Sequence, residues 1–137
     1  MLKKFINWSF VIFVLLLISC KKDVSNYAGK YEGTLTGSNN TVKDNVELLF
    51  EVDTSNENIL LFSGHKLIEE SANQYTTNDK EAILKIINML YPDVTSNMIY
   101  NTTAVFVFEK KELTMNLQYG KIDDSDNLTI RFIGKRK

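Results

Sequence analysis

From Tyr27 onward, apolar side chains fall at every second position in one short run after another. That period restricts the chain to strands with one buried face. Tyr31, Gly33 and Leu35 alternate with Lys30, Glu32, Thr34 and Thr36, and Gly37-Ser38-Asn39-Asn40 follows as a turn. Val46, Leu48, Phe50 and Val52 alternate with Asn45, Glu47, Leu49 and Glu51. After a polar turn over Asp53 to Asn58, Ile59-Leu60-Leu61-Phe62 forms a short apolar strand ending near Gly64. Lys66 to Glu70 and Asn73 to Thr76 supply one or two edge strands. Further on, Ala104-Val105-Phe106-Val107-Phe108 is apolar on both faces, as a central strand is. Lys110-Lys111 then makes a tight connection. Leu113, Met115, Leu117 and Tyr119 alternate with Thr114, Asn116 and Gln118. Past a turn over Gly120 to Asn127, Leu128, Ile130 and Phe132 alternate with Thr129 and Arg131. The last three strands read as an antiparallel meander with short hairpins.

One segment has a different period. Asn78 with Glu81 three residues on has the form of a capping box. Ala82, Ile83, Ile86, Ile87 and Leu90 recur at helical spacing, while Glu81, Lys85 and Asn88 take the other side, and Pro92 stops the run. The spacing predicts one amphipathic helix over residues 78–91, packed on the sheet or closing one end of a barrel. Its polar face lacks the Lys/Arg richness of a helix that lies on anionic lipid.

The fold class is therefore mainly β: an antiparallel up-and-down meander forming a small barrel or half-barrel with one inserted helix. Closure removes exposed sheet edges. The alternative is an α+β open antiparallel sheet with the helix across one face. Ala28-Gly29-Lys30-Tyr31-Glu32-Gly33-Thr34-Leu35-Thr36 resembles the opening strand of lipocalin-like (calycin-like) domains in small bacterial lipoproteins. Ile130-Arg131-Phe132-Ile133-Gly134 is similar to their last strand. The resemblance implies a single lipocalin-like β domain over residues 27–137. The helix departs from that pattern by interrupting the meander, which bears on whether the barrel closes.

Ahead of the domain stands an export leader. Lys3 and Lys4 form a positive end, Phe5 to Ser19 carries no charge, and Phe10 to Ile18 is unbroken apolar sequence. Leu17-Ile18-Ser19-Cys20, followed by Lys21-Lys22-Asp23, resembles the lipobox of a bacterial lipoprotein. The resemblance implies that residues 1–19 are a signal peptide, that Cys20 is the lipidation site and new amino terminus, and that residues 20–26 are a lipidated tether. Lys21 stands where the best-known Gram-negative sorting rule places aspartate for inner-membrane retention, so the resemblance implies the outer membrane, with a periplasmic or a surface-facing domain both open. An uncleaved membrane span is disfavoured because a crossing helix needs about 20 apolar residues. An ordinary secretory signal leaves the four lipobox positions unexplained.

Cys20 is the single cysteine, so no disulfide forms within the chain and the fold rests on its apolar core. Net charge is −1, and becomes −3 once Lys3 and Lys4 leave with the leader. The basic residues are scattered, and Gly134-Lys135-Arg136-Lys137 reads as a solvated tail, which gives no ground for a nucleic-acid partner. His65 is the only histidine, and without cysteine partners it builds no zinc site of the usual type. Asp123-Asp124-Ser125-Asp126-Asn127 lacks the glycine and distal glutamate of a calcium loop and reads as a hairpin turn. No nucleophile elbow, Walker loop or His-Glu-x-x-His string is present. No catalytic residue, metal or cofactor is expected, and no ligand-binding residue is assigned.

Two function classes follow for a chain held to the membrane by its lipid anchor. In the first, a non-catalytic binding module holds a small apolar or envelope ligand, with some of Tyr27, Tyr31, Phe50, Phe62, Phe106, Phe108, Tyr119 and Phe132 lining a cavity under the helix. A barrel of about eight strands is just wide enough for that. In the second, the domain is a protein-interaction or inhibitor lipoprotein, acting on an envelope partner, a hydrolase or a toxin. An enzyme is the third and least supported class.

Overall fold

The alternating runs become nine strands: β1 (Gly29–Gly37), β2 (Val42–Val52), β3 (Leu60–Phe62), β4 (His65–Lys66), β5 (Ile68–Ser71), β6 (Gln74–Thr77), β7 (Ile99–Glu109), β8 (Glu112–Lys121) and β9 (Asn127–Arg136). Helix α1 (Lys80–Leu90) lies between β6 and β7. The structure is a computed structural model that describes residues 24–121 and 127–137. The leader, Cys20, Lys21-Lys22-Asp23 and the acidic run from Asp123 to Asp126 lie outside the described residues.

All pairings are antiparallel, in the order β4-β3-β2-β1-β9-β8-β7-β6-β5. The last strand returns to the first, from Tyr31 opposite Arg136 to Gly37 opposite Ile130. The two outermost strands, β4 and β5, are halves of one run separated only by Leu67, whose N–H donates to the Leu60 carbonyl at 2.9 Å. That run pairs with β3 through its first half and with β6 through its second. The sheet thus curls into a nearly closed up-and-down barrel rather than an open sheet. The helix does not interrupt it, because β6 pairs directly with β7 from Gln74 opposite Val107 to Thr77 opposite Ala104.

Closure between β1 and β9 depends on two glycines facing each other, Gly33 and Gly134. A Cβ on Gly33 would run into the Ile133 carbonyl oxygen, and one on Gly134 into the Phe132 ring. The strands approach this closely because neither residue has a side chain.

Inward-facing positions fill the barrel. Tyr31, Leu35, Leu48, Phe50, Leu60, Phe106, Phe108, Leu113, Met115, Tyr119, Ile130 and Phe132 are each at most 1% exposed. On β7 the doubly apolar run divides by face: Ala104, Phe106 and Phe108 are buried, while Val105 and Val107 are half-buried on the outside.

The helix begins two residues later than expected. Asp79, not Asn78, is the N-cap, with its Oδ1 accepting from the Ala82 N–H at 3.0 Å. Thr77 Oγ1 accepts from the Asp79 N–H and ends β6, and His65 Nδ1 lies 3.3 Å from Asp79 Oδ2. Both contacts fix Asp79, and this local support decides between two neighbouring residues of similar capping preference. At the other end Asn88 Nδ2 donates to the carbonyls of Tyr91 (3.0 Å) and Val94 (2.8 Å), satisfying groups a helix terminus leaves open. Ala82, Ile83, Ile86 and Ile87 are fully buried, and the helix packs on β1, β2 and β7 to close one end of the barrel. Burying three isoleucines contributes on the order of 6 kcal/mol, which holds a helix too short to be stable alone. Tyr91 donates to Asn39 Oδ1 at 2.6 Å and ties the closed end to the β1–β2 turn.

The folded part starts earlier than Tyr27. Val24–Asn26 wind into a single 3-10 turn, and Val24 is buried. Tyr27 N–H donates to the Val24 carbonyl at 3.0 Å, and Arg136 Nη1 donates to the Asn26 carbonyl at 2.6 Å. Val24–Asn26, the last three residues of the segment expected as a tether, thus pack against the barrel.

Candidate functional site

The barrel interior is occupied by the chain itself. All eight rings named above as cavity candidates are buried, and Tyr75, on an edge run with weak alternation, joins them. Tyr27 stacks on Phe108 at 5.0 Å between ring centroids. Phe50 stands edge-on to Tyr31, Phe106 and Phe108 at 5.2 to 5.7 Å, and Phe62 leans on Phe50 and Phe106 at 5.3 and 5.5 Å. These are the separations of directly packed rings. They leave the aromatic set as core.

Three buried hydroxyls are treated differently by that core. Tyr27 donates to the Ala72 carbonyl at 2.7 Å, and Tyr31 to the Tyr27 carbonyl at 2.8 Å. Tyr119, 1% exposed, has no hydrogen-bond partner for its hydroxyl among the described residues. Burial pushes the Tyr119 phenol up to about 12, helped by nearby Tyr91. Burial likewise takes Tyr75 up to about 12, with smaller contributions from Glu69 and Tyr27.

His65 sits in β4, its Nδ1 facing Asp79 and its Nε2 3.6 Å from Glu81 Oε2. The imidazole is a clasp between the seam of the barrel and the first turn of α1. Among the described residues no group of three His, Cys, Asp or Glu stands where it could hold a metal ion.

The outer surface carries two kinds of chemistry. Toward the end where the chain enters, the outward residues of β2, β1, β9 and β8 are charged and paired. Lys137 Nζ reaches Glu32 Oε2 at 2.7 Å and Glu47 Oε2 at 3.1 Å, which raises its pKa, and Lys135 stands 4.0 Å from Glu112.

Toward the helix end, β7, β8 and β9 present a concave groove of about 840 Å³. Thr103, Gln118 and Thr129 form one row across the three strands, and Val105, Asn116 and Arg131 the next. A bulge in β7 between Tyr100 and Thr103 adds Tyr100 and Asn101, both exposed and both lining the groove. Asn101 takes φ 47° there, a left-handed conformation that asparagine tolerates better than most residues. Bulges of this kind re-aim side chains beside binding surfaces. No side-chain polar atom of these seven hydrogen-bonding residues bonds to another described residue. The sequence had assigned none of them a binding role; the alternation marks their positions as outward, and only Asn101 hints at the bulge. Comparison with protein-family models, curated proteins and solved structures finds no match for this chain.

Proposed function

We propose that the chain is a cell-envelope lipoprotein, anchored in the outer membrane through lipid on Cys20, whose barrel is a non-catalytic binding module working from its outer surface. The filled interior is the observation that carries the second half of this proposal. Rings packed at 5.0 to 5.8 Å give a small apolar molecule no room beside them without expelling core side chains. An envelope component or partner held on the outside is favoured over a ligand held within.

The position of Val24 supports an outward presentation. Its turn is bonded to Arg136 and runs into Tyr27, whose hydroxyl reaches the Ala72 carbonyl, at the end of the barrel opposite α1. Cys20 is four residues upstream, a reach of about 14 Å at most. A lipid-bearing Cys20 would keep that end at the bilayer and turn the helix end away from it. Attachment becomes durable with two or more acyl chains.

Feeding labelled palmitate to cells that make the full-length chain tests the anchor. Label is expected in the wild type and not in Cys20→Ser, which accumulates with residues 1–19 still attached. Absence of label, or a Cys20→Ser form of mature size, refutes the anchor. Native mass spectrometry of the protein extracted from envelopes tests the binding mode: a small apolar molecule retained in the barrel refutes an outer binding surface.

A further inference from the structure

We infer that the groove on the outer face of β7, β8 and β9 is a saccharide-binding site. This rests on the reading of the barrel as an outward-facing envelope module and names its ligand.

The lining chemistry selects the ligand class. Three carboxamides (Asn101, Asn116, Gln118) and two threonine hydroxyls (Thr103, Thr129) each donate and accept, and none is committed to a described partner. Neutral amides and hydroxyls lose water at far lower cost than charges do, so they exchange it for another set of hydroxyls with little penalty. A ligand dense in hydroxyl groups uses them all. A protein partner would call for a larger apolar centre than Val105 and Tyr100 provide on the described outer face. A metal would need carboxylates, and the described lining has none. A nucleic acid would need several cations, and the described lining has Arg131 alone.

The geometry agrees with the chemistry. Neighbouring strands stand about 4.8 Å apart, so each row offers hydrogen-bonding groups at the spacing of substituents on successive sugar rings. A groove of about 840 Å³ is within the range of small-ligand sites. Tyr100, 45% exposed and set out by the bulge, supplies an aromatic face on which the C–H side of a sugar ring rests. Arg131 adds a donor fork suited to a carboxylate, so a uronate-bearing chain binds more tightly than a neutral one.

Full-length protein in detergent micelles, applied to a printed array of neutral oligosaccharides and oligogalacturonates, tests the inference. Retention is expected, strongest for the galacturonates, and Tyr100→Ala and Gln118→Ala should each weaken it by about tenfold or more, the equivalent of one good contact. Both residues are exposed, so thermal melts should stay at the wild-type temperature. Ile133→Ala, on the outer face of β9 but outside the groove, should bind as wild type. Arg131→Gln should lose the preference for uronate and keep neutral binding. No retention on any saccharide, or retention indifferent to both Tyr100→Ala and Gln118→Ala, overturns the inference. A photo-crosslinker at position 118 separates the two levels: capture of an envelope protein there refutes the saccharide and leaves the outer binding surface standing. An apolar molecule retained inside the barrel refutes both.

Discussion

Replacing Tyr119 by phenylalanine removes a hydroxyl that is buried without a partner among the described residues, and the protein should become more stable. A buried donor left unsatisfied costs about 1–3 kcal/mol, and deleting it recovers that penalty while leaving the ring in place. The expected gain is roughly 1 kcal/mol, or on the order of 4 °C in Tm for a domain of this size. Tyr31→Phe is the matched contrast, because its hydroxyl donates to the Tyr27 carbonyl at 2.8 Å. Losing that bond costs about 1 kcal/mol and strands the acceptor as well. Alkaline titration gives a second, independent readout. The Tyr119 phenol sits at about 12 in the folded barrel against 10.0 in the free side chain. Its native state therefore holds the proton more tightly than the unfolded state, so stability is fully present below pH 10 and is lost as the pH rises toward 12. Each such group lowers stability by about 1.4 kcal/mol per pH unit across that window. Tyr75, also at about 12, adds a second. Urea denaturation at pH 8, 10 and 11.5 should show Tyr119→Phe more stable than wild type throughout, with a shallower decline above pH 10. A loss of stability equal to that of Tyr31→Phe would refute the reasoning, since it would mean that the Tyr119 hydroxyl is bonded.

Gly33→Ala places a methyl against the Ile133 carbonyl oxygen, a backbone atom that cannot step aside. It should cost roughly 3 kcal/mol or more, read as a lowered urea midpoint. Asp79→Ala removes both the N-cap of α1 and the partner of His65, and should lose about 1–2 kcal/mol. Asp79→Asn, which keeps the capping oxygen, should recover most of that loss in the same denaturation curves. Arg136→Ala deletes the bonds to the Asn26 and Ala28 carbonyls. Amide hydrogen exchange should quicken at Tyr27, whose N–H bonds within the Val24–Asn26 turn, while the β7–β8 ladder stays protected.

The strand period carries most of this fold, and the exceptions have identifiable causes. β1, β2, β7, β8 and β9 are legible because one face of each is buried and the other wet, which is what alternation records. The run from His65 to Ser71 is not, because every residue of β5 is exposed and Leu67 is the one buried residue within the run. A strand that changes partners at one residue leaves no periodic trace, yet it is the piece that brings the sheet nearly full circle. Val24 was hidden as one apolar residue in a polar stretch. Asn78 satisfied the capping-box spacing, but the histidine that supports Asp79 comes from another strand, β4, and not from the helix itself. The groove was the least legible feature. Its residues are ordinary solvent-facing polar positions, and only the meeting of three strands and a bulge makes them one surface.

The proposed lipid anchor and the inferred saccharide groove rest on separate observations. Lipid on Cys20 is argued from the leader, whereas the groove is argued from side chains on β7, β8 and β9. What links them is the rigidity between the two ends of the barrel. Strands of ten and eleven residues, paired along their lengths and packed on a core of interlocking aromatic rings, hold the outward side chains at fixed spacing without help from loops. A site on such a ladder has little conformational entropy left to lose when a ligand arrives. Filling the interior would therefore serve the exterior: the packed aromatic core also stiffens the three outer strands that carry the inferred site.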